Sequence, residues 1–484
     1  MNTILTISLF AVCLGFMSYG YYVSRSKISQ SAFLVSDRNI NVFSLTFSLT
    51  ASCFGIWILI GPAEASTWGG IGAVVGYAAG QSFVFLYFSK IGEKVRKILP
   101  SAKSLTEVIA RRYDFNVLKL TLVLTILYLY VYFCAEVTAI AKVVNLILGI
   151  PLWITASLTI ISTLIYSLKG GLKISIITDK FQFWIIIIFL TIIFFILNQK
   201  IDFLSPNLIF NKPSNLNIGF GGVTAGLTFF IAVFATNLFD QGIWQRVYAS
   251  KNITVLKKGF VAAFFIVFIT ILLLGMVGIY ASLSGKVKDP STIIFSFLIN
   301  KEFIFLNLVI LILSLTLVLS SLDTLIASVS SLFVIHTNKF VQKKNVGIFY
   351  IIGGLILAGS AFYISSKGLS VLYLFLLADL LCCAAAIPIF YGFYNQKIKS
   401  KNIFKSIIFG IIFGLLLFPS LDFSQSILVG VMFDKSLFPT ILSNHLLFWS
   451  FLTALLSPVL FIKKINIKFN YLYLSKKFKD KFIA

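Results

Sequence analysis

Charge is scarce in this sequence, and acid is scarcer still. Only 12% of the 484 residues are Asp, Glu, Lys or Arg, and 16 acids stand against 40 bases. Hydrophobic residues make up 59% of the chain, so too little polar surface exists to cover a water-soluble fold, and an ordinary soluble domain is excluded. Histidine occurs twice, at His336 and His445, far apart in the chain. The five cysteines (Cys13, Cys53, Cys134, Cys382, Cys383) all lie in apolar runs without a CxxC spacing, which leaves a Cys/His metal centre unsupported. No Ser/His, His/Glu or Asp pair stands out as a catalytic constellation, so the chain does not read as an enzyme. Nor is there room for a soluble domain, since the longest polar stretch is the basic segment 90–116, which reads as a short amphipathic helix.

What is present is apolar length, repeated. A membrane span needs about 20 mostly apolar residues, and by that rule about thirteen helices are expected. They fall near 3–22, 43–67, 69–89, 117–148, 152–168, 176–198, 220–244, 259–283, 303–335, 346–365, 369–391, 403–420 and 440–462. The first run, "MNTILTISLF", lacks the basic start of a secretory signal and reads as a retained helix.

The net charge of +24 follows from where the bases sit rather than from a nucleic-acid partner, for which no case exists. Of the 40 bases, 32 fall in alternate loops and the tail, and 8 on the opposite side. The positive-inside rule then places the N-terminus outside and the C-terminus in the cytoplasm of a bacterial-type inner (plasma) membrane. The tail "KKINIKFNYLYLSKKFKDKFIA" suits contact with anionic lipid headgroups. The lipid bilayer is the expected macroscopic partner.

Two of the expected spans are interrupted. "TASCFGIWILIGPAEASTWGG" (50–70) carries Gly55, Gly61, Pro62 and Glu64, and "FFIAVFATNLFDQGIWQR" (229–246) carries Asn237, Asp240, Gln241 and Gly242. Non-helical backbone at membrane depth is tolerated only where protein buries it or a cavity faces it. Two broken helices, five apart and opposite in direction, are what an inverted five-helix repeat produces. The expected organisation is an all-α multispan protein: 1–42 with an extra helix and loop, repeats at 43–198 and 199–391, two helices in 392–462, and a basic tail at 463–484. In "LSLTLVLSSLDTLIASVSSL" (313–332), adjacent Ser320 and Ser321 offer oxygens to a small hard cation, with Asp323 three residues beyond Ser320.

These stretches, with "SLKGGLKISIITDKFQFW" and "DQGIWQRVYAS", resemble the sodium:solute symporter family over roughly 30–395. The pattern Gly170, Gly171, Thr178, Asp179, Gln182 and the Ser-Ser-x-Asp pattern carry the resemblance together. It implies a leucine-transporter-like 5+5 core with one helix before and two after. It also implies sodium as coupling ion, held by the carbonyls of Ala51, Phe54 and Leu317 and the hydroxyls of Ser320 and Ser321. Asp179 aligns with a carboxylate associated with sodium on its way to the cytoplasm; as a residue alone it reads equally as a helix cap or salt bridge.

Cys53 stands where the sodium/proline carrier has a carboxylate, and Asp240 and Glu64 are candidate replacements. Candidate residues for the solute are Gly55, Trp57, Glu64, Glu136, Asn237, Asp240 and Gln241. Glu136 reads either as a partner for Lys142 or as part of a site, and Asp379 reads as a packing partner. The expected function is sodium-coupled symport, by alternating access, of a small organic solute such as an amino acid, carboxylate, vitamin or sugar. Two alternatives stay open. One is proton coupling through Glu64, Glu136 and Asp240; the other is a transporter-like sensor working with a separate kinase.

Overall fold

The computed structural model describes residues 2–23, 29–201, 219–283, 290–299, 303–337, 358–394, 398–421, 423, 425–428 and 445–462. The expected tail 463–484 and most of the expected helix 346–365 lie outside the described residues. In chain order the helices are α1 (Asn2–Val23), α2 (Gln30–Val35), α3 (Val42–Cys53), α4 (Trp57–Ile98), α5 (Leu105–Arg112), α6 (Phe115–Leu148) and α7 (Leu152–Ile201). They continue with α8 (Phe220–Asn237), α9 (Gln241–Ala249), α10 (Ile253–Leu283), α11 (Ile293–Leu298), α12 (Ile304–Thr337), α13 (Val371–Tyr394), α14 (Ser400–Leu417) and α15 (Leu446–Leu456). Among the described residues, nine helices are long and apolar enough to cross a membrane.

Two of the longest helices are kinked at a glycine. In α4 the backbone leaves helical geometry at Gly69 and Gly70, and in α7 at Gly171. Gly70 (φ 53°) and Gly171 (φ 52°) occupy the left-handed region that glycine enters without a Cβ penalty. Expected spans 43–67 and 69–89 therefore meet without a loop. The stretch 169–175, expected to connect two spans, is corrected: it is helical on both sides of Gly171, whose left-handed backbone reduces the connection to a kink. Asp179 thereby lies inside a helix rather than at its start.

The basic segment after α4 contains the expected short helix, α5. Ser104 caps it by accepting the Glu107 N–H at 3.1 Å, while Glu107 reaches back to accept the Lys103 N–H at 2.6 Å. The Arg112 Nε donates to the Gly392 carbonyl (2.7 Å) and the Tyr113 hydroxyl to the Ile389 carbonyl (2.6 Å), tying α5 to the end of α13.

Packing sorts the helices by depth. α10 and α8 lie along α4, and α12 lies along α7 and α6. α12 is buried on all sides despite its hydroxyls, with Ser314, Thr316, Ser320, Ser321 and Asp323 at 1% exposure or less. A helix buried all round belongs to the interior of the bundle. By contrast α1 and α14 present Ile4, Ile7, Leu14, Ile412 and Phe413 outward. A parallel bridge between Ile40 and Ser250 joins the chain just before α3 to the chain just after α9, so the two interrupted spans are tied at one end.

Candidate functional site

The first interruption runs from Phe54 to Ile56, between α3 and α4. Here the Gly55 N–H turns to the Cys53 carbonyl at 3.1 Å, which deprives the Ala51 carbonyl of its usual donor four residues on. The next two N–H groups leave the local chain altogether. Ile56 and Trp57 donate to the two carboxylate oxygens of Glu136, at 2.9 and 3.2 Å, and Glu136 comes from the middle of α6. The Ser321 hydroxyl donates to the same carboxylate at 2.6 Å. A buried carboxylate thus satisfies the first orphan donors of α4 and complements the positive end of its dipole. Gly55 is required by this approach, since a Cβ there would lie 2.5 Å from both Glu136 oxygens.

A second carboxylate is held by the neighbouring serine. Asp179 on α7 accepts from Ser320 (2.9 Å), from Ser48 on α3 (2.6 Å) and from the Arg246 guanidinium on α9 (2.8 Å). The Arg246–Asp179 ion pair is buried, with side chains 1% and 0% exposed. Arg246 also donates to Ser48 (2.8 Å) and Thr324 (3.2 Å), and Asp323 accepts from Ser175 and Thr178 at 3.0 Å each. Adjacent positions on a helix point about 100° apart, which is why Ser320 and Ser321 serve different carboxylates.

The second interruption, Leu238 to Asp240, separates α8 from α9. It is closed locally, for Asp240 caps α9 by accepting the Ile243 N–H at 2.7 Å. The last residue of α8, Asn237, donates to Gln81 at 3.0 Å, and Gln81 donates to the Cys53 thiol at 2.9 Å. Side chains thereby link the two interruptions directly.

Between them lies a cavity of about 50 Å³. Trp57, Asn237, Asp240 and Ser321 line it, together with Cys53, Gln81, Tyr77, Tyr128, Tyr132, Phe375 and Asp379. Of the other candidate residues, Gly55 and Glu136 meet at the break, while Ser320 and Asp179 form the adjoining network. Ala51, Phe54 and Leu317 are wholly buried. Leu317 offers its carbonyl to Ser321 at 3.3 Å.

Glu64 and Gln241 do not line the cavity. Gln241 donates instead to Ser331 at 3.1 Å, and Glu64 lies farther along α4, where its carbonyl accepts from Thr67 at 2.7 Å. Asp379, read from the sequence as a packing partner, faces the cavity. Ser48, Gln81, Arg246 and the three tyrosines were also missed. Only Arg246 carried a signal, as an arginine inside a broken apolar segment.

A cavity at two helix interruptions, lined by Asp240 and Asp379 in an all-helical bundle with membrane-length helices, is the arrangement of a membrane transporter of leucine-transporter-like fold. The solved structures agree. An outward-open, substrate-bound sodium-coupled sialic acid symporter aligns at a TM-score of 0.70 and 15% identity, covering 94% of this chain and 98% of that one. MHP1, a nucleobase-cation-symport-1 family transporter in a closed conformation, aligns at 0.58 and 12% identity, covering 94% and 100%. A manganese transporter of Eremococcus coleocola aligns at 0.52 and 14% identity, covering 87% and 95%.

The model of the sodium:solute symporter family matches residues 33–410, and the chain belongs to that family. Its members and these structural neighbours are transporters rather than enzymes. A curated relative, the spermidine transporter DUR31 of Candida albicans, is 24% identical over 273 residues, which is 56% of this chain and 51% of the relative. The chain therefore spans about half the length of that relative.

Proposed function

We propose that this protein is a sodium-coupled symporter that moves a small organic solute by alternating access through thirteen spans, with inverted repeats at 43–198 and 199–391. One observation carries the reading: the unwound backbone at Phe54–Ile56, the hydroxyls of Ser320 and Ser321, and two buried carboxylates converge from four helices on one place. In this reading the cation takes the carbonyls of Ala51, Phe54 and Leu317 and the two serine hydroxyls. A hydroxyl that donates its proton to a carboxylate still presents lone pairs to a cation. Glu136 supplies the negative charge that Cys53 does not, and Asp179 receives the ion on its way to the cytoplasm.

Because these ligands sit on α3, its break and α12, an ion that binds all of them favours the arrangement that brings those helices together. That differential affinity is what couples ion to conformation. The solute occupies the adjoining cavity at the bilayer midplane, where the two interruptions meet.

Proton coupling is the second reading, and the position of Glu136 favours it. A carboxylate buried where α4, α6 and α12 meet is placed to take up a proton when a rearrangement withdraws its three donors. Proteoliposomes holding the purified protein decide between the two. Under the first reading, solute accumulates when an inward sodium gradient is imposed at constant pH, and not under a proton gradient alone. Accumulation under a proton gradient without sodium removes sodium from the mechanism. The orientation is N-terminus outside and C-terminus inside, so a cysteine placed at Ser101 resists an impermeant thiol reagent added to intact cells; ready labelling reverses that orientation.

A further inference from the structure

We infer that the solute is an organic cation carrying an ammonium group, held between Asp240 and Asp379 against an aromatic wall. This rests on the symport reading and adds the substrate class. The first observation concerns what the cavity lacks. Among its lining residues are two carboxylates and no lysine or arginine. Arg246, the nearby cation, is engaged by Asp179, Ser48 and Thr324, and no described ion pair reaches Asp240 or Asp379. Asp379 is only 6% exposed, and its described hydrogen-bond partner is the neutral Thr236 hydroxyl rather than a cation. Burying a carboxylate without a paired cation is costly, so the site is completed by a ligand of positive charge.

The second observation weighs against the opposite ligand. In a broken-helix transporter, the exposed N–H groups at a half-helix start are the natural seat for a solute carboxylate. Here both such seats are filled by the protein itself. Glu136 takes the Ile56 and Trp57 N–H groups at the start of α4, and Asp240 takes the Ile243 N–H at the start of α9. These three N–H groups are therefore not open to a solute carboxylate, and the carboxylates that hold them repel an anion.

The third observation is the wall. Trp57 stacks on Tyr77 with ring centroids 5.6 Å apart, and Tyr132 meets Phe375 edge-on at 5.1 Å. Trp57 Nε1 donates to the Tyr132 hydroxyl at 2.9 Å, which fixes the orientation of both rings. Aromatic faces beside carboxylates are the surroundings that recognise ammonium groups.

The test is thermal unfolding of the purified full chain in sodium buffer at constant ionic strength. The probes are n-butylamine, putrescine, the neutral 1,4-butanediol and the dianion succinate. Either amine raises the midpoint, and butanediol and succinate do not. In Asp240→Asn and Asp379→Asn, at least tenfold more amine is needed for the same shift, while the stabilisation by sodium alone persists; asparagine keeps the helix cap, so the fold is preserved. Stabilisation by succinate or butanediol without amine, or an amine response unchanged in both variants, overturns the assignment. A sodium response with no amine response overturns the solute class alone. An amine response without any sodium response overturns the coupling reading and leaves the solute class standing.

Discussion

The two helix interruptions solve one problem in different ways. Each leaves the first N–H groups of a helix without partners inside a bundle that holds back water. At Leu238–Asp240 the chain answers from within itself, with Asp240 three residues before the N–H it accepts. At Phe54–Ile56 the answer comes from Glu136, 80 positions away on another helix, with Ser321 of a third helix on the same carboxylate. A local cap holds whatever the neighbouring helices do. A remote cap holds only while α6 and α12 stay in place, so the first break is sensitive to any rearrangement of the bundle and the second is not.

That contrast can be broken from several directions. The largest effect is expected beyond the second break, where Arg246 holds Asp179. Arg246→Ala leaves a buried carboxylate uncompensated and lowers stability by about 3–5 kcal/mol, read as the unfolding midpoint in detergent. A loss below about 1 kcal/mol would show that water reaches Asp179.

Glu136→Ala comes next. It strips the Ile56 and Trp57 N–H groups of their partner and the Ser321 hydroxyl of one acceptor, at about 1–3 kcal/mol in all, because the buried carboxylate's own desolvation cost goes with it. Gly55→Val forces the same carboxylate away, because its Cβ would meet Glu136 at 2.5 Å. It is expected to abolish sodium-dependent stabilisation, and adding Glu136→Ala to it should cost less than the two single changes together. Strict additivity would mean that Gly55 and Glu136 do not act as a pair.

Ser320 and Ser321 sit at the junction of the two carboxylates. Replacing both with Ala should raise the sodium needed for half-maximal uptake about ten- to a hundredfold, from losing hydroxyl contacts worth about 1.5–3 kcal/mol. Unchanged sodium dependence at normal expression takes both out of the ion site. The smallest effect on stability belongs to the local cap: Asp240→Ala should cost about 1 kcal/mol, less than Glu136→Ala. A reversed order would mean that the second break, not the first, depends on remote support.

Much of the fold was legible because membrane solvent imposes a simple rule. Twenty apolar residues make a span, and that rule located helices such as 117–148 and 303–335 within a few residues of α6 and α12. The interruptions were legible too, since Gly55 and the Asn237–Gly242 run stand out against apolar surroundings. The rule fails where a connection shrinks to one residue: 169–175 looks like a basic loop, and only the left-handed Gly171 reduces it to a kink. Site residues were legible in proportion to how local their work is. Asp240, a cap, announced itself beside the break it closes. Asp379 and Gln81 sit inside apolar helices whose facing partners lie far off in sequence, so Gln81 went unmarked and Asp379, conspicuous as a charge, gave no sign of the cavity it faces.

The sequence by itself determined the solvent and the places where helices cannot continue, because each follows from composition or backbone geometry within a few residues. Tertiary structure alone decided what fills those places. Glu136 enters the first break, Arg246 pairs with Asp179, and Asp379 turns to the cavity, each through contacts between helices far apart in sequence. The physical reason is that a buried charge takes its energy from whichever group is brought within about 3 Å, and only the packing of the bundle fixes which group that is.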